Sequence, residues 1–284
     1  MKKMLILALL CCWGLFGEES HRDPYMGMVL TTEQHSYELQ NCVGGGASGT
    51  IYKAISEEGQ TVAIKIFIRN LMSDVFTKSW PLPIDLGPVL SLSNEKEWEV
   101  GTQFNHPNII KAYDRGVIRD VKGVNHPKPF IVIEFVSGMT FLQVCEKKLC
   151  QETAILLLVQ LLDALKYGFI KEMYYHDLHL ANFMITEDNC LKIVDLGSFI
   201  PLASVTTEEG CSWGFMNIYS LVKQILKKSG CEKKQIKTIG KQMKEALKTA
   251  HENGLTEIEL YTRVLERWSF ILQQINPPLS TSRL

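Results

Sequence analysis

From Tyr37 to Phe67 the chain runs through three strand-favouring apolar stretches, YELQNCV, TIYKAI and TVAIKIFI, broken by GGGASG and by a Glu-Glu-Gly-Gln turn. Such runs with glycine punctuation predict three successive strands joined by hairpin-like connections. Residues 69 to 90 hold Pro81, Pro83, Gly87 and Pro88 and read as a long irregular segment; SLSNEKEWEVGTQF then predicts a short helix opening on a Ser or Asn cap. Strand-like runs follow around Ile109 to Val117 and Phe130 to Phe135. The pattern then changes. Between Ala154 and Ile170 nearly every residue is apolar, with Gln160, Asp163 and Lys166 spaced by three along one stripe, as in a helix buried on most of its circumference. Ile236, Ile239, Met243, Leu247 and Ala250 recur at helical spacing, and Thr256 with Glu259 forms a capping box ahead of a last helix that ends before Pro277. A mainly β first part precedes a mainly α second part, an α+β organisation with no internal repeat.

At the N-terminus Lys2 and Lys3 precede fourteen uncharged residues, Met4 to Gly17, after which charge returns abruptly. Residues 1–17 read as a secretory signal peptide, too short for a permanent anchor, which needs roughly 20 apolar residues; no other stretch reads as a membrane span. Lipid attachment at Cys11 or Cys12 is an open alternative, as are internal starts at Met26 and Met28 and a cytoplasmic address should the leader be misassigned. Thirty basic against 31 acidic residues give a formal charge of −1, so no global field favours nucleic acid, and nucleic-acid binding is not expected. The six cysteines beyond the leader show neither Cys-x-x-Cys nor zinc-ligand spacing with histidine, and read as ordinary thiols.

Gly44-Gly45-Gly46-Ala47-Ser48-Gly49-Thr50-Ile51 lies between two predicted strands, which argues for a hairpin lid rather than a strand-to-helix nucleotide turn. Glycines let main-chain N–H groups approach phosphate oxygens, although glycine-rich hairpins are common for other reasons. Lys65, in Val62-Ala63-Ile64-Lys65, is costly inside an apolar strand unless paired, and Glu97 on the following helix is a partner. The plainer alternative makes Lys65 an edge residue and Glu97 one of three solvated glutamates with Glu95 and Glu99. In Tyr175-His176-Asp177-Leu178-His179-Leu180-Ala181-Asn182, followed by Ile193-Val194-Asp195-Leu196-Gly197, one carboxylate suits a base and Asn182 and Asp195 offer hard oxygen ligands for Mg²⁺.

Over roughly residues 37 to 270 these segments together resemble the protein kinase family: the glycine loop, the VAIK lysine strand, YHDLHLAN in place of H-R-D-L-x-x-x-N, and Asp195-Leu196-Gly197 in place of Asp-Phe-Gly, eighteen residues after Asp177. The resemblance implies a bilobal protein-kinase-like fold, with residues 18–36 as a linker, 37–136 as the N-lobe and 137–284 as the C-lobe. It implies ATP and Mg²⁺ as cofactors and a protein substrate. Asp177 would orient and deprotonate the acceptor; Lys65, fixed by Glu97, would grip the phosphates under Gly44 to Gly49 and Ile51; Asn182 and Asp195 would hold the metal. Ala63, Ile133 as gatekeeper and the main chain of Glu134 and Val136 would take adenine. Asn217 resembles the residue that opens a helix bracing the catalytic loop.

Three departures temper this. His176 replaces the arginine that a phosphorylated loop would neutralise. His179 stands where a phosphate-contacting lysine is usual, so that Asp177-Leu178-His179 resembles aminoglycoside phosphotransferases, and His179 is a candidate γ-phosphate contact. Only 22 residues separate Asp195 from Asn217, with no Ala-Pro-Glu between them. A serine/threonine protein kinase is therefore weighed against a small-molecule or lipid kinase and a non-catalytic pseudokinase. Nine lysines from Lys223 to Lys248 offer an acidic partner or anionic membrane surface a face to bind, or are merely solvated; nothing in the sequence bears on oligomeric state.

Overall fold

The computed structural model describes residues 23, 25–46, 48–67, 93–119, 127–147, 149–204, 208–252 and 255–275. The leader expected over 1–17, Ala47 of the glycine loop and most of the segment between Lys65 and Glu97 lie outside them.

The first lobe is a six-stranded antiparallel sheet in the order β1-β2-β3-β4-β6-β5. Its strands are β1 (Val29–Thr31), β2 (Ser36–Gly46), β3 (Gly49–Ser56), β4 (Thr61–Phe67), β5 (Ala112–Ile118) and β6 (Lys128–Glu134). Helix α1 (Ser93–Gln103) enters between β4 and β5. The three strands expected from Tyr37 to Phe67 are present. The chain additionally pairs Val29–Thr31 with Ser36–Glu38, inside the segment read as a linker, and buries Tyr25.

The two-residue period of a strand sends alternate side chains to opposite faces, and β4 shows the consequence. Val62, Ile64 and Ile66 join Phe130 and Val132 of β6, together with Tyr25, Leu30 and Tyr52, in one apolar cluster. Ala63 and Phe67 join Ile131 and Ile133 in the main core, which continues into the second lobe. Lys65 has the same parity as Ala63 and Phe67, so its ammonium is delivered to the face that meets the second lobe.

That lobe is built on α3 (Gln151–Ile170), preceded by α2 (Phe141–Glu146) and followed by α4 (Glu208–Lys228), α5 (Lys233–Glu252) and α6 (Glu257–Ile275). By length and composition α3 is apolar enough to cross a membrane, which corrects the expectation that no segment beyond the leader is. Its position explains the composition: Ala154, Leu157, Leu158, Leu161, Leu162 and Ala164 are wholly buried in the core. Thr256 and Glu259 cap α6 reciprocally, the Thr256 N–H donating to Glu259 Oε2 at 3.0 Å and the Glu259 N–H to Thr256 Oγ1 at 3.4 Å.

Two small sheets sit where the lobes meet: β7 (Gly138–Thr140), β9 (Phe183–Thr186) and β10 (Leu191–Ile193) in one, β8 (Met173–Tyr175) and β11 (Phe199–Pro201) in the other. The lobes are joined by main-chain bonds from Ile193 N–H to Asn108 O at 2.8 Å and from Ile110 N–H to Ile193 O at 3.1 Å. The buried Asn108 amide donates to Gln160 Oε1 and to Leu191 O, both at 2.8 Å, so α3 fixes the start of β10 and with it the approach to Asp195.

Candidate active site

Lys65 and Glu97 are 6% and 3% exposed, and Lys65 Nζ lies 2.6 Å from Glu97 Oε1. Two charges this far from water persist only as a pair. Burial pushes the Glu97 carboxyl above its ordinary range, with Lys65 opposing. Lys65 Nζ is also 3.7 Å from Asp195 Oδ1, so one ammonium addresses both carboxylates. The turn after Asp195 is closed against α1: a Cβ on Gly197 would fall 2.7 Å from Glu97 Oε1, and one on Gly101 would fall 2.8 Å from Leu196 Cδ1. Glycine at both positions therefore lets the Asp-Leu-Gly turn and α1 approach closely enough to form the ion pair.

The catalytic-loop residues converge beside it. Asn182 Nδ2 donates to Asp177 Oδ2 at 2.9 Å and to Asp177 O at 3.1 Å, while the Val194 N–H donates to Asn182 O at 3.0 Å. Asp177 is exposed and so open to an incoming group. Turning its amide nitrogen to Asp177 leaves the Asn182 side-chain oxygen uncommitted there. Together with Asp195, this makes an amide oxygen and a carboxylate, a donor set that fits Mg²⁺. Among the described residues no cluster of three His, Cys, Asp or Glu side chains could hold a metal unaided, so a cation here would take its remaining ligands from phosphate and water. Bound Mg²⁺ would supply neutralisation of phosphate charge.

The glycine hairpin folds over β4. Gly46 pairs with Gly49, and a Cβ on Gly49 would lie 2.5 Å from Ile66 O, whereas Cβ atoms on Gly44 or Gly46 would meet nothing within 4 Å. Gly49 is demanded by the sheet, whereas Gly44 and Gly46 border open space. Ile51 pairs with Lys65, and Ala63 with Ile133, both of these last buried. Buried Val136 follows β6, and the Glu134 N–H donates to Lys111 O at 2.9 Å.

One expectation, that for Asn217, needs revision in detail. Asn217 does not open a helix: it sits in the middle of α4, lining a polar cleft of about 280 Å³ with His176, Leu178, Ser220 and Gln224. His179 caps the turn at Leu180–Asn182, its Nδ1 accepting the Ala181 N–H at 3.2 Å, so the ring proton resides on Nε2. His176 has a partner within the chain itself. Its Nδ1 and its main-chain N–H donate to Ser198 O at 2.7 and 3.0 Å.

Sequence reasoning missed several contributors. Buried Ser198 donates from Oγ to Asp195 Oδ2 at 2.5 Å and thereby orients the Asp195 carboxylate. Lys192 Nζ reaches Glu134 Oε1 at 2.6 Å, tying the strand before Asp195 to the hinge. Half-buried Lys96 has its ammonium disfavoured by burial, against the pull of Asp195 and Glu97. The available signal was proximity in sequence: Ser198 follows Asp-Leu-Gly directly, and Lys192 precedes Asp195 by three residues.

A model of the protein kinase domain matches residues 37–216, more than half of the chain. The serine/threonine-protein kinase PknB of Mycolicibacterium smegmatis is 27% identical over 174 residues, 59% of this chain and 25% of that protein. A probable PknB of Bifidobacterium longum is 26% identical over 166 residues, 57% and 22% of the two chains, and a probable serine/threonine-protein kinase of Streptomyces coelicolor is 28% identical over 164, again 57% and 22%. The matched region spans about a quarter of the length of these curated relatives. With its ion pair, its catalytic-loop pair and its glycine hairpin all at the junction of the two lobes, the chain belongs to the protein kinase family.

Proposed function

We propose that the chain transfers the γ-phosphate of ATP, with Mg²⁺, to serine or threonine hydroxyls of a protein. The single observation that carries this reading is the assembled site: Lys65 sits 2.6 Å from Glu97 and 3.7 Å from Asp195 with no change of fold required. In this reading Lys65 binds the phosphates and Glu97 holds its ammonium in place. Asn182 and Asp195 carry the metal, Ser198 and Lys192 keep the Asp195 segment in register, and Asp177 accepts the proton of the acceptor hydroxyl. The test is radiolabel transfer from ATP to generic protein acceptors by the purified chain lacking residues 1–17. Label appearing with the wild type and vanishing in Asp177→Ala is expected; equal transfer by that variant sinks the assignment.

A second reading, phosphorylation of a small molecule, is favoured by one feature. α4 begins at Glu208, soon after Asp195, so the chain between them is short for a peptide platform, and the polar cleft of His176, Asn217, Ser220 and Gln224 lies next to Asp177. Label recovered only in low-molecular-weight products would decide for it. Export through residues 1–17 belongs to the same proposal, and places the reaction in a compartment to which ATP is delivered.

A further inference from the structure

We infer that the lysine face formed by α5 and the end of α4 docks the protein on an anionic lipid surface, a role independent of the phosphotransfer reading. Lys233, Lys237, Lys241, Lys244 and Lys248 are all exposed and, at 3.6 residues per turn, fall within an arc of about 80° along about 22 Å of helix. Lys223 of α4 adds to the same strip, since its ammonium and that of Lys244 lie over one ring, Tyr219, at 5.1 and 5.5 Å. One ion pair engages this set among the described residues, Lys248 with Glu252 at 3.8 Å, both exposed.

Local energetics disfavour this arrangement. Like charges three and four residues apart on a helix repel. The first turn of α5 has no acidic residue of its own and places Lys233 and Lys234 at the positive end of the helix dipole, offset only by Glu232 just before it. Glu232, Glu245 and Glu252 border the strip, but the arc itself carries lysine alone, so its positive charge is only partly offset. The form of the strip selects the partner. Between 223 and 248 every basic residue is lysine, a hydrated point charge without the planar fork that reads carboxylates bidentately, and the strip lies on a convex helix face. The apolar side of α5 is committed to the core through Ile239, Met243 and Ala250 and is not available to insert. Attraction to a plane of anionic headgroups uses all of these features, and it is electrostatic and salt-sensitive.

The experiment uses the full chain, its K233Q/K237Q/K241Q/K248Q variant and the corresponding four-arginine variant. Each is sedimented with vesicles of phosphatidylcholine alone and of phosphatidylcholine with phosphatidylserine. The wild type and the arginine variant should bind the phosphatidylserine vesicles preferentially, and the glutamine variant on the order of a few hundredfold more weakly. Because glutamine keeps helix propensity and relieves repulsion, that variant should melt no lower than the wild type. Equal binding to both vesicles, undiminished binding by the glutamine variant, a melting temperature lowered by the glutamines, or retention of soluble poly-glutamate without vesicle binding would each overturn the inference. The last of these results would point to an acidic protein instead.

Discussion

Removing either partner of the Lys65–Glu97 pair should damage the fold as well as the chemistry, and the two effects separate in a double variant. Both groups are almost fully buried and 2.6 Å apart, and stranding one charge of such a pair costs about 3–5 kcal/mol. Glu97→Ala belongs at the lower end, because Lys65 keeps Asp195 at 3.7 Å. Lys65→Met is limited differently: burial already favours the protonated form of Glu97, so the stranded carboxyl takes up a proton. At about 2–4 °C per kcal/mol for a domain of this size, each single variant should melt roughly 6–12 °C below the wild type. Lys65→Met with Glu97→Leu replaces the pair by apolar side chains of similar volume and should recover the melting temperature or exceed it, since such replacements are often neutral or stabilising. Nucleotide-dependent transfer should stay lost, because no ammonium remains to bind phosphate. Calorimetric melting of the four proteins, with ATP binding followed alongside, is the measurement. A double variant as unstable as the singles, or a Glu97→Ala protein that melts with the wild type, would refute the account of the pair as a buried ionic unit.

Further outcomes follow from the same geometry. Gly49→Ala, whose Cβ would meet Ile66 O at 2.5 Å, should cost about 1–3 kcal/mol. Gly46→Ala, which meets nothing, should leave stability within about 0.5 kcal/mol while weakening ATP binding in a titration. In alkali, burial and then the hydrogen bond to Asp114 hold the Tyr37 phenol well above its usual range, and burial with Asp23 does the same for Tyr52. A raised folded-state value means that this stability is complete below the unfolded value of about 10 and is lost as pH climbs from there toward the folded values. Urea midpoints should therefore fall above that pH, and fall less steeply in a Tyr37→Phe, Tyr52→Phe variant. Mass spectrometry of the secreted and cell fractions should find a mature N-terminus near residue 18; an intact Met1 in every fraction would remove the export proposal.

What the sequence discloses and what it conceals divide along a physical line. Lys65, Asp177, Asn182 and Asp195 are legible because chemistry fixes residue type and short-range spacing, and the VAIK run betrays itself by placing a cation in an apolar strand. The burial of Glu97 is not legible, since Glu95 and Glu99 beside it are exposed; only the turn of α1 against Gly197 selects the middle glutamate. β1 escaped notice because three residues carry too little periodicity, and its place is set by Tyr25 and Leu30 covering the outer face of the sheet. The cross-lobe contacts are tertiary by nature, Lys192 with Glu134 and Asn108 with Gln160 being 58 and 52 residues apart in the chain.

His176 shows how a substitution read as a loss acquires a function from its surroundings. In sequence it removes a cation and with it a site for a regulatory phosphate. In the folded chain its ring and its main-chain N–H both donate to the carbonyl of Ser198, whose hydroxyl in turn holds Asp195. β11 begins at the next residue and pairs with β8, so the start of the segment is already anchored by main-chain bonds. An arginine in that place would extend past the carbonyl and need an anion beyond it; the shorter imidazole completes its hydrogen bond within the loop. The order of the Asp195 turn is thus supplied by groups the chain carries permanently, and treatment with phosphatase should leave both ATP affinity and the rate of transfer unchanged. A fall in either would mean that an added phosphate, and not His176, holds the turn.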